Sequence, residues 1–217
     1  MAPIPALTVT GTGKVKLSPD RATVVVAVET HGASAAAAAA DNARRVKAAL
    51  DTVQKLGLGR DQLSTSGYAV TPEYRYDRTS STTRVVGYTA RNGVRVDVRK
   101  LEQLGPIIDA ALAGGANTIG DVELSASNAD EARRAALTAA VQKAQGDAEA
   151  MAHAAGGGLG PLLELSSTQS EGGIGPMFAA RVATAAPGGN VPTNIEPGDI
   201  TVSVSVTGKW EFLENRK

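Results

Sequence analysis

The chain of 217 residues carries 22 basic and 22 acidic side chains, contains no cysteine and has only 3% aromatic residues. The balanced charge gives no electrostatic basis for binding nucleic acid or an anionic membrane surface, and the lack of cysteine excludes disulfides, thiolate catalysis and thiolate metal ligands. With so few aromatics, a core of the size that this length allows has to be built from Ala, Val, Leu and Ile.

Two strands are predicted first. The stretch "ALTVTGTGKVKL" alternates polar and apolar residues, and "DRATVVVAVETHG" follows with a nearly continuous β-branched run, which is typical of a strand buried on both faces. Pro19–Asp20 between them predicts the turn of a hairpin. The "GTGK" at Gly11–Lys14 lacks the spacing of a phosphate-binding loop, so we interpret its glycines as a β-bulge.

A helix and an edge strand follow. The Ala-rich stretch after residue 33 favours a helix that ends at Gly57. The residues on its predicted buried face are Val46, Ala49, Leu50 and Val53. The next strand, "DQLSTSGYAVTPEYRYD", contains Pro72, which predicts an edge position or a bulge because proline has no amide hydrogen to donate.

The stretch "GYTARNGVRVDVRK" predicts a half-buried strand, because its valines and charged residues alternate. A short helix follows, with Leu101, Leu104, Ile108 and Leu112 in phase, and "ANTIGDVELSAS" predicts a further strand. Two sections, 20–76 and 83–127, thus share a strand–helix–strand plan. This plan predicts an α+β fold, with Ala-rich helices packed on a mixed, largely antiparallel sheet.

The longest helix is predicted after residue 127 and is followed by two strands, "LGPLLELSSTQ" and "DITVSVSVTGKWEFL". Its expected buried stripe is Leu137, Val141, Ala144, Ala148, Met151 and Ala155. The segment 171–194 between the strands is rich in Gly, Ala and Pro and is predicted to be a mobile loop. Its apolar residues Ile174, Met177 and Phe178 are candidates for an interface with a neighbouring copy.

The residues offer little chemistry. His31 and His153 are the only histidines, too few for a zinc site made of histidines alone, and neither lies in the context of a nucleophile elbow. We therefore predict no catalytic, cofactor-binding or metal-binding residues. The tyrosines Tyr68, Tyr74, Tyr76 and Tyr88 fall on two adjacent strands, where they could stack on bases or sugars. Our preferred interpretation is a cross-strand aromatic cluster that stabilises the sheet.

The stretches "VTGTGKVKLSPDRATVVVAVET", "GYTARNGVRVDVRKLEQLGPIIDAALAGGANTI" and "EPGDITVSVSV" resemble the SIMPL-domain family, in order and over nearly the whole chain. The motif residues are Gly11, Gly13, Pro19, Asp20, Gly87, Tyr88, Ala90, Asn92, Gly115, Ala116 and Asn117. One departure is Gln145–Gly146, where relatives tend to have a Lys-Ala pair in the long helix. We expect Tyr88 and Asn92 to pin a strand junction, with the Asn92 side chain bonding backbone groups at a bend by Gly93.

The resemblance implies a single SIMPL-like domain over residues 1–217 that is not an enzyme. It also implies a periplasmic or cell-envelope protein whose signal peptide has been removed, with peripheral association with the outer membrane. Some bacterial members form ring-like or channel-shaped homo-oligomers, and others are linked to oxidative-stress tolerance, so self-association is the expected function. Two alternatives stay open: a monomeric envelope module that binds a protein or glycan, and an enzyme with an unrecognised site.

Overall fold

The computed structural model describes residues 4–78, 81–168 and 192–214. The candidate interface residues Ile174, Met177 and Phe178, and the predicted mobile loop up to residue 191, lie outside these ranges. The strands are β1 (Ala6–Leu17), β2 (Arg21–Gly32), β3 (Leu63–Asp77), β4 (Thr82–Val98), β5 (Thr118–Ser125), β6 (Gly157–Thr168) and β7 (Ile200–Glu214). The α-helices are α1 (Ala35–Gln54), α2 (Leu104–Ala113) and α3 (Ala129–Ala154).

The chain divides into two compact units. The described part of unit 1 consists of residues 4–19, 125–168 and 198–214, and that of unit 2 consists of 20–78, 81–124 and 192–197. The expectation of a single domain over residues 1–217 stays a prediction.

Unit 1 is a three-stranded antiparallel sheet of order β1–β7–β6, covered by α3. The register between β1 and β7 runs without a shift from Ala6 opposite Glu211 to Leu17 opposite Ile200. The bulge predicted at "GTGK" is therefore wrong. Gly11 and Gly13 have a different role, because a Cβ atom added to them would lie 2.2 Å from the Ala140 carbonyl oxygen and 1.9 Å from that of Ala136, respectively.

This close approach also decides which face of α3 is buried. The residues with their side chains against the sheet are Ala132, Ala136, Ala140, Ala144, Ala148 and Ala152. Of the predicted stripe, Ala144 and Ala148 are buried, but Leu137 and Val141 are only half-buried and Met151 and Ala155 are exposed. Helix and strand backbones lie so close that only a methyl group fits between them, so the large apolar side chains are displaced to the flanks.

Unit 2 contains the four-stranded sheet of order β3–β4–β2–β5, in which β4 pairs antiparallel with both β2 and β3. The helix α1 packs on β2 and β4 and also contacts α2. Val46, Ala49 and Val53 are buried as predicted, whereas Leu50 of the predicted face is only half-buried. In α2 the prediction was wrong for Leu112, which is exposed, whereas Ile107 and Ala111 are buried. Pro72 lies on the edge strand β3, as predicted.

Pro19–Asp20 is not the turn of a hairpin. The strands β1 and β2 belong to different sheets, and the boundary between the two units falls between Pro19 and Asp20. The strictly alternating β1 pairs with the strictly alternating β7, whereas β2 pairs with β4. The prediction that β2 is buried on both faces was only partly right, because the face with Val24, Val26 and Val28 is buried but Thr23, Val25 and Glu29 on the other face are half-buried. The α+β class and both strand–helix–strand units, β2–α1–β3 and β4–α2–β5, are confirmed, with the strands divided between two sheets.

Candidate functional site

The motif residues Gly115–Asn117 fix the start of β5 against β2. Gly115 has a φ of +112°, a conformation that favours glycine, and it turns the chain out of α2. The side-chain amide of Asn117 then forms two hydrogen bonds with the backbone of Glu29: its Oδ1 accepts from the Glu29 amide at 2.8 Å, and its Nδ2 donates to the Glu29 carbonyl at 2.7 Å. The backbone amide of Asn117 also donates a hydrogen bond to the Ala27 carbonyl, at 3.1 Å. The motif thus pins an outer strand of unit 2.

The motif residue Ala90 lies beneath α1, in contact with a residue that the sequence analysis missed. Asn42 of α1 is fully buried, and its Nδ2 donates to the Val28 carbonyl at 2.8 Å and to the Ala90 carbonyl at 3.0 Å. Asn42 thereby joins α1 to both central strands. Its position four residues before Val46, on the buried face of the helix, is the sequence signal that could have identified it.

Tyr88 and Asn92 meet the expectation for a strand junction only in part. Tyr88 is half-buried and pairs with Gly32 on one side and Pro72 on the other. A register shift between Thr65 and Gly67 lies opposite Gly93, so an irregularity is present beside Asn92. However, Asn92 Oδ1 is buried and has no hydrogen-bond partner among the described residues, so the expected bond from this oxygen to the bend is absent there.

His31 belongs to a polar cluster on three strands of unit 2. Its Nδ1 lies 2.6 Å from Glu73 Oε1 and 3.0 Å from Thr89 Oγ1, and the Thr89 hydroxyl donates to the same Glu73 oxygen. The hydrogen bond from Thr89, followed by the interaction with His31, lowers the pKa of Glu73 below its ordinary value. Nucleophilic relays place the hydroxyl and the carboxylate on opposite ring nitrogens. Here Glu73 and Thr89 both meet Nδ1, and the carboxylate beside Nε2, that of Glu29, lies 4.0 Å away, beyond hydrogen-bond distance. The cluster therefore links the strands β2, β3 and β4 to one another.

The remaining candidates for chemistry are few in the part of the chain that the structure describes. His153 lies exposed in the last turn of α3. Within the described ranges, no group of three or more His, Cys, Asp or Glu residues is placed to hold a metal ion. A cavity of about 20 Å³ lies between α1 and the sheet of unit 2 and is lined by Asn92 and aliphatic side chains.

The tyrosines do not form the predicted cross-strand cluster. In the strand register Tyr68 pairs with Asn92, Tyr74 with Val85 and Tyr76 with Thr83, so no tyrosine is opposite another. Tyr68, Tyr74 and Tyr76 are 58%, 67% and 59% exposed. They occupy alternate positions of β3 and therefore share one face of the strand. The sheet-stabilising interpretation is wrong, and the row is available for contacts with another molecule.

Two of these tyrosines lie on a projecting segment that we call the ribbon, residues 74–77 of β3 and 82–86 of β4. Because β2 ends at Gly32, opposite Tyr88, the ribbon is two-stranded in the described structure. Its apolar side chains are all exposed: Tyr74 at 67%, Tyr76 at 59%, Val85 at 45% and Val86 at 42%. Arg75 and Arg84 pair directly with each other across its strands.

Unit 1 carries a second exposed apolar surface, which we call the β6 edge. It consists of the outer strand β6 and the last residues of β7, 209–214. Its exposed leucines are Leu162, Leu163, Leu165 and Leu213, each close to half exposed. The charged residues of this edge are Glu164, Lys209, Glu211 and Glu214.

Comparison with known proteins gives relatives over most of the chain. A 26 kDa periplasmic immunogenic protein from Brucella melitensis is 31% identical over 216 residues, which cover 95% of this chain and 84% of the relative. A protein named "Uncharacterized protein YggE" from Edwardsiella ictaluri is 30% identical over 186 residues, or 86% of this chain and 77% of the relative. The YggE protein of Escherichia coli K12 is 28% identical over 183 residues, or 84% and 74%.

No helix within the described ranges is long and apolar enough to cross a membrane. The family model named SIMPL, with the description "Protein of unknown function (DUF541)", matches residues 7–210. That match covers most of both described units and every motif residue discussed above, from Gly11 to Asn117. The chain therefore belongs to the SIMPL family.

Proposed function

We propose that this protein is a non-enzymatic periplasmic protein that assembles with copies of itself, and that the ribbon of one copy docks on the β6 edge of the next. The observation that carries the proposal is the ribbon, a two-stranded projection with four exposed apolar side chains.

The ribbon lacks the packing that stabilises a sheet. A two-stranded hairpin is marginally stable in water, and a third strand or a covering surface is needed to hold it. Arg75 opposite Arg84 places like charges side by side, which destabilises the pair unless an acidic group lies near. Arg84 has one such group within its own hairpin, Asp77, at 3.9 Å. A partner with apolar and acidic groups would therefore stabilise the ribbon.

The β6 edge has that chemistry. Its half-exposed leucines match the apolar side chains of the ribbon, and its charge is opposite in sign. Between residues 74 and 85, the described residues of the ribbon and its turn carry three arginines and one aspartate, whereas the β6 edge carries three glutamates and one lysine. A heterologous interface joins two different surfaces of the same chain. Such an interface gives a closed ring when the rotation from one copy to the next brings the last copy back to the first.

The size of the two surfaces is compatible with a specific contact. A stable interface buries about 1,000 Å² or more in total, roughly half from each partner. Tyrosine side chains bury about 150–250 Å² each, so the exposed parts of Tyr74 and Tyr76 supply roughly 200–300 Å², and Val85 and Val86 extend that area.

The test is the mass of the purified protein in solution. We expect light scattering to give a mass of several chains, and we expect the double variant Tyr74→Asp, Val85→Asp to run at a lower mass with an unchanged circular dichroism spectrum. The matched control is Leu56→Asp, which adds a charge at another exposed apolar position and should leave the mass unchanged. A monomeric mass for the unmodified protein over a wide concentration range would refute the assembly proposal.

The compartment is proposed from the relatives. The Brucella melitensis relative bears the word periplasmic in its name, and a chain without cysteine is suited to an oxidising compartment. We expect cell fractionation of a native host to recover this protein with periplasmic markers; recovery with cytoplasmic markers would contradict the proposal. Any contribution to oxidative-stress tolerance would, with no thiol in the chain, come from assembly and not from cysteine chemistry.

The second candidate is a monomeric envelope module that binds a protein or a glycan. It is favoured by Tyr68, which continues the exposed tyrosine row outside the ribbon. A monomer whose tyrosine signals shift in NMR spectra on addition of an extended glycan or peptide would support this candidate.

A further inference from the structure

The outer edge of β1 is the least protected strand edge in the described part of the two sheets. β1 is an edge strand of unit 1, and its 12 residues form a ladder with β7 that has no register shift. Among the described residues, the backbone groups on its other side have no hydrogen-bond partner. The other edges are protected, because β3 and β6 each contain a proline and register shifts, and β5 is short. An unprotected edge invites pairing with another strand.

The residues of β1 that face α3 read the same in both directions. From Leu7 to Leu17 they are Leu, Val, Gly, Gly, Val and Leu, and Thr12 lies at the centre of this row. If β1 pairs antiparallel with β1 of a second copy about a two-fold axis at Thr12, every residue of the row lies opposite a residue of its own kind. The pairs are Leu7 with Leu17, Val9 with Val15 and Gly11 with Gly13. A contact in which both copies use the same surface requires self-complementarity of this kind.

The opposite face of β1 fits the same register. Its residues are all exposed: Thr8, Thr10, Thr12, Lys14 and Lys16. With the axis at Thr12, each lysine lies opposite a threonine of the second copy, so like charges, which destabilise a strand pair, do not meet. Moving the axis to Gly11 or Gly13 would place a valine opposite a glycine on the other face. The register centred on Thr12 therefore suits both faces.

The helix α3 carries small side chains above this edge. Its flank one position after the buried alanines includes Leu137 and Val141, which are half-buried. Its flank one position before them includes Ala135 and Ala139, which are exposed. Because β7 and β6 lie on one side of β1 only, the flank above them is the more buried one. The flank with Ala135 and Ala139 therefore overhangs the free edge of β1.

Two copies of α3 can then approach each other above the paired strands. Paired strands lie about 4.7–4.9 Å apart and packed helices about 8–10 Å apart, so helices above two neighbouring strands need facing flanks with little bulk. The two exposed alanines each precede an alanine whose carbonyl oxygen meets one of the β1 glycines. They therefore lie level with Thr12, where the two helices come closest.

We propose that β1 recognises a second copy of the chain: the two β1 edges pair antiparallel about a two-fold axis at Thr12, and the α3 flanks at Ala135 and Ala139 meet above them. The two three-stranded sheets then form one continuous sheet. This contact is isologous and lies in unit 1. It goes beyond the contact of the ribbon with the β6 edge and does not depend on it.

A single introduced thiol tests the axis directly, because the chain has no cysteine. Thr12→Cys places two thiols opposite each other with Cα atoms about 4.5–5.5 Å apart, a separation that a disulfide spans. The matched control is Thr8→Cys, an exposed position on the same face of β1 whose two copies lie far from the axis. On mild oxidation of the full chain, we expect at least about tenfold more covalent dimer from Thr12→Cys, because pairing raises the effective concentration of its thiols. Equal yields, or no dimer from Thr12→Cys, would overturn the proposal.

A second pair of variants tests the helix contact. Ala139→Arg, added to Thr12→Cys, should hold the two helices apart and lower the dimer yield to that of Thr8→Cys. Ala150→Arg, at another exposed position of α3, should leave the yield unchanged, and both should keep the circular dichroism spectrum. The ribbon variant Tyr74→Asp, Val85→Asp should still cross-link through Thr12→Cys, so failure of the ribbon contact leaves this result intact. A cross-link that survives Ala139→Arg, or is lost in the ribbon variant, would overturn the two-fold pairing.

Discussion

Gly11 and Gly13 determine how closely α3 approaches β1. Added Cβ atoms would lie 2.2 and 1.9 Å from backbone carbonyl oxygens of the helix, and backbone atoms cannot swing aside as a flexible side chain can. The same contact explains why every buried residue of α3 is an alanine. Burial of apolar surface alone would favour an orientation of α3 with Leu137, Val141 and Met151 facing the sheet. Here the steric limit set by the two glycines outweighs that preference.

Gly13→Ala is expected to destabilise unit 1. Its methyl group would force α3 away from β1, and overpacking of this kind costs about 1–3 kcal/mol. We expect a fall in the free energy of unfolding near the upper end of that range, measured by urea denaturation. The control is Gly146→Ala within α3, where nothing beyond the neighbouring helix backbone lies within 4 Å of the added Cβ and the helical propensity of alanine should add about 0.5–1 kcal/mol. Equal effects of the two substitutions would contradict the close-packing argument.

Glu73 provides a residue-scale prediction for pH. The Thr89 hydrogen bond is the main cause of its lowered pKa, so Thr89→Val should raise the Glu73 pKa toward the ordinary carboxylate value, as measured by NMR titration. Because the folded-state pKa is the lower one, the stabilisation is present above the ordinary carboxylate range and is lost as pH falls through the folded value. Thr10→Val, in unit 1, is the control and should leave the Glu73 titration unchanged.

The elements themselves could be predicted from local patterns. Alternation indicated β1 and β7, the β-branched run indicated β2, and the spacing of Val46, Ala49 and Val53 indicated the buried face of α1. The pairing of strands could not be predicted in the same way. Nothing local to Pro19–Asp20 distinguishes a tight hairpin from a crossing between two sheets, because the choice depends on β4 and β7, which lie far along the chain.

The role of Asn117 gives a prediction at the scale of one element. At the start of β5 its side chain forms the hydrogen bonds to the β2 backbone that a strand backbone would otherwise form. Asn117→Ala removes two hydrogen bonds to the Glu29 backbone and should lower the free energy of unfolding by about 1–2 kcal/mol. The Glu29 amide should exchange faster with solvent deuterium. Asn128→Ala is a matched control, because the Asn128 side chain caps no backbone amide of α3. Unchanged exchange at Glu29 in the Asn117 variant would refute the pinning role.

At the scale of the whole molecule, the candidate surfaces were only partly predictable. The sequence placed four tyrosines on neighbouring strands but not their exposure, because exposure depends on where β2 ends beside β4. Asn42 was not identified from the sequence, because a polar residue in an Ala-rich helix is normally expected to face solvent. Its carbonyl partners also come from two strands that lie apart in the sequence, β2 and β4. Hydrogen bonds made across long sequence separations leave no local pattern.

A charge-reversal experiment tests the proposed assembly at this scale. Replacing Arg75 and Arg84 with Glu should repel the acidic β6 edge of the next copy and lower the mass measured by light scattering. Adding Glu164→Lys and Glu211→Lys to the same chain should restore part of that mass, because the ribbon is then acidic and the β6 edge is basic, so the two surfaces attract each other again. The control is Lys143→Glu on α3, outside both surfaces, which should not change the mass. Failure of the second pair to restore any mass would argue against this pairing of surfaces.

The pairing of β1 with β7 has a consequence for the order in which the parts of the protein can fold. All 12 residues of β1 find their ladder partners in residues 200–211, so β1 can complete its ladder only when β7, far along the chain, is available. The strands and helices of the unit 2 sheet lie within residues 21–125, so this unit can form most of its contacts without β7. We expect Lys14, Lys16 and the alternating threonines of β1 to limit aggregation while this strand is unpaired, because an unpaired apolar strand is prone to aggregate.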